Sequence, residues 1–146
     1  MKAIFKFPFA TVLIIAFIWL HSAMPASESS AESGFFLSLI ESVMGSGVIT
    51  EHLLRKAAHF TEYMLLGIAA GYDARCLEAK GFFSVVLPMY VCLFTAVADE
   101  SIQLFSAGRS SLLTDVWIDH SGSLTGIAIA FIILKLYRRY TKTSQV

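Results

Sequence analysis

From Gly81 to Ala98 the chain carries no charged side chain, and the run ends on Asp99 and Glu100. A helix of about 20 mostly apolar residues is what a bilayer crossing requires, because every backbone N–H and C=O in lipid must be satisfied within the segment. Three further windows have the same character, which places spans at about residues 7–24, 55–73, 81–99 and 115–137. Of the 146 residues 56% are hydrophobic and 15% are charged, with no net charge, whereas a soluble domain carries about 25% charged residues. A soluble enzyme, a disordered tail, a disulfide scaffold and a basic nucleic-acid binder all fit poorly, and nucleic acid is not an expected partner. The expected fold class is all-α, a single-domain polytopic membrane protein. It has four transmembrane helices and a short interfacial helix in the first outer loop.

The first window competes with a signal peptide, since Lys2 and Lys6 precede an apolar stretch that ends near Ala23 and Ala26. Met24-Pro25-Ala26 is a poor cleavage site, because Pro adjoins the bond and Met stands where a small residue belongs. The pattern therefore favours a retained span. Orientation follows from Lys and Arg in the short loops. With the N-terminus cytoplasmic, the inner side holds Lys2, Lys6, Arg75, Lys80, Lys135, Arg138, Arg139 and Lys142, and the outer side only Arg55, Lys56 and Arg109. Eight against three predicts both termini on the cytoplasmic side of the membrane. Only Asp73 and Glu78 are inner acids on this topology.

The first outer loop begins with Pro25 to Ser33, a Ser-rich stretch of flexible composition. Phe35, Phe36, Leu39, Ile40, Val43 and Met44 then recur at helical spacing, with Ser33 as the expected N-cap. This segment reads equally as a helix lying in the outer interface or as a lid on the bundle. Cys76 and Cys92 form no CxxC and no zinc-ligand spacing, so both read as small apolar filler. No metal motif and no cofactor motif is present.

Chemistry is expected where polar residues stand at lipid depth. At about 1.5 Å per residue, Glu62 lies roughly 16 Å above Asp73, and Asp119 and Asp115 roughly 24 and 30 Å above Lys135. An ionised carboxylate near mid-membrane costs at least about 2.5 kcal/mol, so Glu62 is expected to face the bundle interior. Arg55, His59, Glu62 and Tyr63 follow helical spacing on the second span, with Lys56 three residues from His59. Asp99 and Gln103 do so on the third, with Glu100 beside them. Asp115, Asp119, Gly122 and Gly126 form one stripe on the fourth, and Gly122-x-x-x-Gly126 allows a close helix approach. Arg109 stands in the loop Ser106-Ala107-Gly108-Arg109-Ser110-Ser111. An Arg there can present a fork to phosphate or carboxylate. From spacing alone, an internal clamp onto Asp99, Glu100 or Asp115 is favoured over a ligand site. The expected cluster is therefore Lys56, His59, Glu62, Tyr63, Asp99, Glu100, Gln103, Arg109, Asp115 and Asp119, sharing one cavity, with no catalytic role assigned. His120 points about 100° away from Asp119 and is left out. Trp117 and Tyr140 read as interfacial anchors.

These motifs resemble the VanZ-like family of bacterial membrane proteins over nearly the whole chain. Arg55-Lys56-Ala57-Ala58-His59-Phe60-Thr61-Glu62-Tyr63 with Leu66-Gly67 is similar to the family's best-marked motif. Asp99-Glu100-Ser101-Ile102-Gln103, Gly108-Arg109-Ser110, and Asp115-Val116-Trp117-Ile118-Asp119 with Gly122 resemble its later elements, in order. The segment from Met24-Pro25 to Ser33-Gly34 resembles its linker. The chain departs where Ile102 replaces a common His, Ala107 a common Pro and His120 a small hydroxyl residue, which leaves His59 as the one candidate imidazole base. The resemblance implies a cell-envelope protein, and the family takes its name from a member linked to low-level teicoplanin resistance. It implies a location and a phenotype class, not a reaction.

Four functions follow. First is a factor that binds or remodels an anionic lipid or lipid-linked envelope precursor at the outer leaflet. Second is a membrane-embedded hydrolase using His59 and carboxylates, with a divalent cation. A small transporter, which at this size would need an oligomer, and a structural subunit come after these.

Overall fold

The computed structural model describes residues 8–77 and 81–143 of the chain, and these form five α-helices with no strand among them. In order they are α1 (Phe9–Ser22), α2 (Ala26–Met44), α3 (Glu51–Cys76), α4 (Phe83–Gln103) and α5 (Leu113–Thr143). Phe7, Lys2, Lys6, Glu78 and Lys80, which enter the span and charge readings, lie outside the described residues, as does the side chain of Lys142.

α3 is the hub and touches every other helix. It starts cleanly because the Thr50 hydroxyl accepts the Leu53 N–H at 3.2 Å, satisfying a donor that the first turn leaves free. α3 and α5 run side by side in the same direction, with Phe60 opposite Gly122 and Met64 opposite Gly126. Gly122 and Gly126 face those two carbonyls, and Gly67 faces the Ser123 carbonyl, so closely that a Cβ at any of the three would overlap the opposite backbone. The stripe on α5 meets a second spacing of the same kind on α3, Gly67-x-x-x-Gly71. Around this seam Ile18, Tyr63, Leu66, Ala70, Cys92, Ala96, Val116 and Ile127 form the apolar core. Cys92 is filler as expected, while Cys76 is half-buried in the last turn of α3.

The four-span expectation is met in part. Among the described residues two helices, α4 and α5, are long and apolar enough to cross a membrane, and a third span exists if α1 and α2 count as one broken crossing. α3 is long enough at 26 residues, but its first half carries Glu51, Arg55, Lys56, His59 and Glu62, and it does not count among the candidate spans by composition. The start of the helix expected in the first loop is corrected. α2 begins at Ala26, not after Ser33, and meets α1 at 106°. The Ser-rich stretch is helical because Ala and Glu are good helix formers and Ser is tolerable. It is also pinned from outside: Ala26 N–H donates to the Ala107 carbonyl at 3.0 Å, and Arg55 Nη2 donates to Ser30 Oγ at 3.0 Å. Phe35, Phe36, Leu39, Val43 and Met44 are all exposed, so this half of α2 is not a lid packed on the bundle. Trp117 and Tyr140 are exposed, as interfacial anchors would be.

At the opposite end of α3 from the polar cluster, Thr11 fastens the start of α1. Its hydroxyl donates to Asp73 Oδ2 at 2.6 Å and its N–H to the same oxygen at 3.3 Å. Thr11→Val removes the hydroxyl donor and leaves a half-buried carboxylate short of a partner. We expect it to cost about 1–3 kcal/mol, read as a lower midpoint in detergent-denaturation curves.

Candidate functional site

The alternating helix directions bring the C-terminal ends of α1 and α4 and the N-terminal ends of α3 and α5 to one end of the bundle. There a cavity of about 150 Å³ opens under the 104–112 loop, lined among others by Lys56, His59, Glu100, Arg109, Asp115 and Asp119. The loop is held down by Ser106, whose hydroxyl donates to the Ser22 carbonyl at 3.0 Å. Gly108 takes φ +75°, which turns the chain so that Arg109 follows over the cavity.

Most of the charges here have partners. Lys56 Nζ bonds Asp115 Oδ1 at 2.9 Å across α3 and α5. Arg55 Nη2 bonds Glu51 Oε1 at 2.9 Å. Glu100 Oε2 accepts the Leu112 N–H at 3.0 Å, and Gln103 Nε2 donates to Glu100 Oε1 and Asp99 Oδ2 at 3.3 Å each. The expected clamp of Arg109 onto an acid is therefore corrected. Asp115 and Glu100 are taken by nearer donors, and no ion pair closes on Arg109 among the described residues. Its Nε and Nη2 are buried without a hydrogen-bond partner. Burial first, and the neighbouring Arg55 second, pull its pKa below the ordinary arginine value, partly offset by Asp99, Glu100 and Glu62. It stays a cation, and one that an incoming anion would stabilise.

Below Arg109 the balance reverses. Asp99 and Asp119 are 0% and 1% exposed. His59 Nδ1 stands 4.0 Å from Asp99 Oδ2 and 3.7 Å from Asp119 Oδ1, too far for a hydrogen bond. Asp99 Oδ1 and both oxygens of Asp119 lack any hydrogen-bond partner. Tyr63, fully buried, lies against both carboxylates.

Glu62 is placed differently from the expectation of one shared cavity. It lines a second and larger groove of about 820 Å³ between α1, α2 and α3, walled by Phe17, Leu20, Met24, Phe36, Ile40 and Leu65. It faces His21, whose Nδ1 is 3.4 Å from Glu62 Oε1 and whose Nε2 is 3.1 Å from Glu32 Oε2. His59 is therefore not the one imidazole at this end: His21 stands beside Glu62, and His52 lines the polar cavity. His21 was overlooked because it sits at the end of an apolar run, where it reads as the boundary of a span. His120 is buried too, with Nδ1 lacking a partner. α5 packs on both α3 and α4, so its buried arc is wider than one stripe. The polar cavity and the apolar groove share two lining residues, Arg55 and His59.

No curated protein and no solved structure matches the chain. The family model described as VanZ/LLP1 matches residues 7–134, the span that contains both cavities and every helix but the last turns of α5. With most of its length matched, this all-helical chain with membrane-spanning helices belongs to the VanZ/LLP1 family.

Proposed function

We propose that the protein binds an amphiphile with an anionic headgroup, an anionic lipid or a lipid-linked envelope precursor, in the outer half of the bacterial cytoplasmic membrane. The observation that carries this reading is the junction at Arg55 and His59 between a small polar cavity and a long apolar groove. A cavity of about 150 Å³ has room for a group of a few heavy atoms such as a phosphate, given about 30 Å³ per liquid water. The groove, at about 820 Å³, is in the range of pockets that take whole organic ligands, about 300–1,000 Å³. Arg109 supplies an unpaired fork where the headgroup would sit. The test is mass spectrometry of lipid carried through purification by the intact protein and by Arg109→Ala. We expect an anionic lipid with the parent and its loss from the variant. Equal recovery of neutral and anionic lipid from both would overturn the reading.

The orientation belongs to the same proposal. Single cysteines at residues 30 and 110 should react with an impermeant thiol reagent added outside the cell, and a cysteine at residue 77 should not. Labelling at 77 would place the cluster on the cytoplasmic side. A hydrolase is the second reading, favoured by His59 standing beside Asp119. It predicts a headgroup-released product on incubation with the bound lipid, where a binding factor returns the lipid intact.

A further inference from the structure

Among the described residues Asp119 is the least explained side chain. It is 1% exposed, and neither of its oxygens meets a donor. Its neighbours worsen its position: Asp99 is fully buried beside it, and Glu100, Asp115 and Glu62 add further negative charge. Lys56 is spent on Asp115, and Arg109 makes no ion pair among the described residues. Tyr63 approaches Asp99 from the core without completing a hydrogen bond of good geometry, so it does not relieve Asp119 either. A buried anion persists only when it is paired, hydrogen-bonded or bound to a metal.

One set of atoms meets that need. A nitrogen of His59, an oxygen of Asp99 and an oxygen of Asp119 all lie within 4.8 Å of one another. His59 Nδ1 stands 3.7 and 4.0 Å from the two carboxylate oxygens, and two metal–ligand bonds of about 2.1 Å span at most about 4.2 Å. We propose that His59 of α3, Asp99 of α4 and Asp119 of α5 hold one divalent cation at the floor of the polar cavity. One imidazole and two carboxylates without a thiolate fit zinc or manganese, whereas calcium takes six to eight oxygens. Three protein ligands are the complement of a metal site that keeps coordination positions for a small molecule, not of a closed structural one. Gln103, whose Nε2 donates to Asp99 Oδ2, would hold that carboxylate in its orientation toward the ion. His59, Gln103 and Asp119 all line the cavity that Arg109 covers, so the free positions of the ion face the same space. An oxygen of the anionic headgroup would meet the ion there. That last step rests on the function proposed above, and the metal site does not.

Helical spacing put His59, Asp99 and Asp119 in one cluster of ten residues; that these three close on one point, although 40 and 20 residues apart on three helices, is a property of the packing.

The test uses the full-length protein in detergent, stripped with a chelator and then equilibrated with buffered Zn²⁺ or Mn²⁺. Metal content by plasma mass spectrometry should reach one ion per chain. Loss of a residue that only orients a ligand weakens metal sites by about 10–100-fold, so removing a ligand itself, by Asp119→Asn or His59→Gln, should lower affinity by about 100-fold or more. Asp73→Asn, on the same helix as His59 but at the other end of it, should keep the ion. Co²⁺ loading of the unmutated protein gives a readout that does not depend on a variant folding: visible d–d bands that Zn²⁺ abolishes. Absence of those bands together with no bound ion would overturn the proposal and mean that a proton, not a metal, neutralises the pair. Binding unchanged in both variants would overturn it as well. If lipid recovery is insensitive to Arg109 while the ion binds, the headgroup reading fails and the metal site stands.

Discussion

Gly126→Leu should prevent α3 and α5 from assembling. In an isolated helix the exchange of Gly for a better helix former is favourable, by about 0.8–1.0 kcal/mol for Ala. Here the sign reverses, because a Cβ at position 126 would overlap the Met64 carbonyl and crowd the Ile68 nitrogen. These are backbone atoms of a packed helix, and they cannot swing aside as a side-chain tip can. Overpacking typically costs about 1–3 kcal/mol even when side chains can adjust. We expect Gly126→Ala at or above the top of that range and Gly126→Leu to abolish the folded state. Gly34→Ala is the matched contrast, since Gly34 lies within α2 with nothing within 4 Å of its Cβ position. It should be neutral or stabilise by up to about 1 kcal/mol. Detergent-denaturation midpoints of the three variants decide the matter, and a tolerated Gly126→Leu would refute the α3–α5 seam.

Arg109→Lys should lose most of the headgroup affinity while leaving the fold unchanged. Arg109 sits in a loop, and its buried nitrogens make no bond whose loss would weaken the bundle. Lys keeps the charge but not the planar fork. One charge-assisted hydrogen bond is worth about 1.5–3 kcal/mol, and each 1.4 kcal/mol is about tenfold, so the loss should be on the order of ten- to a hundredfold. Arg109→Ala should lose more. Glu62→Gln tests the groove independently, because it preserves shape while removing the charge that faces His21. Both Arg109→Lys and Glu62→Gln should insert and stay folded, yet fail in a glycopeptide-susceptibility or envelope-stress assay that the parent protein supports. Wild-type behaviour from both would leave the cluster only a structural role.

Much of this architecture was legible in the residues. The uncharged run before Asp99 and the apolar length of the last helix announce membrane helices, and α4 and α5 are found there. The stripe from Asp115 to Gly126 announces the face on which α5 packs, because helical periodicity alone determines which side chains share a face. The motifs from Arg55 to Gly122 announce the family for the same reason: they are local strings. What the tertiary structure decided is who meets whom. Pro25 permits a turn between α1 and α2, but the 106° bend depends on the 104–112 loop and Arg55 holding α2 down. That bend carries His21 to Glu62 and opens the groove, so Glu62 leaves the cavity that its spacing shared with His59. Arg109 lost its expected acids to Lys56 and to the Leu112 N–H, a competition settled by distance in space. His59, Asp99 and Asp119 converge only because three helices cross at one depth. Sequence spacing determines direction around one helix axis. The partner found in that direction depends on the positions of the other helices, and those are set by the close glycine seam and the packing of the whole bundle.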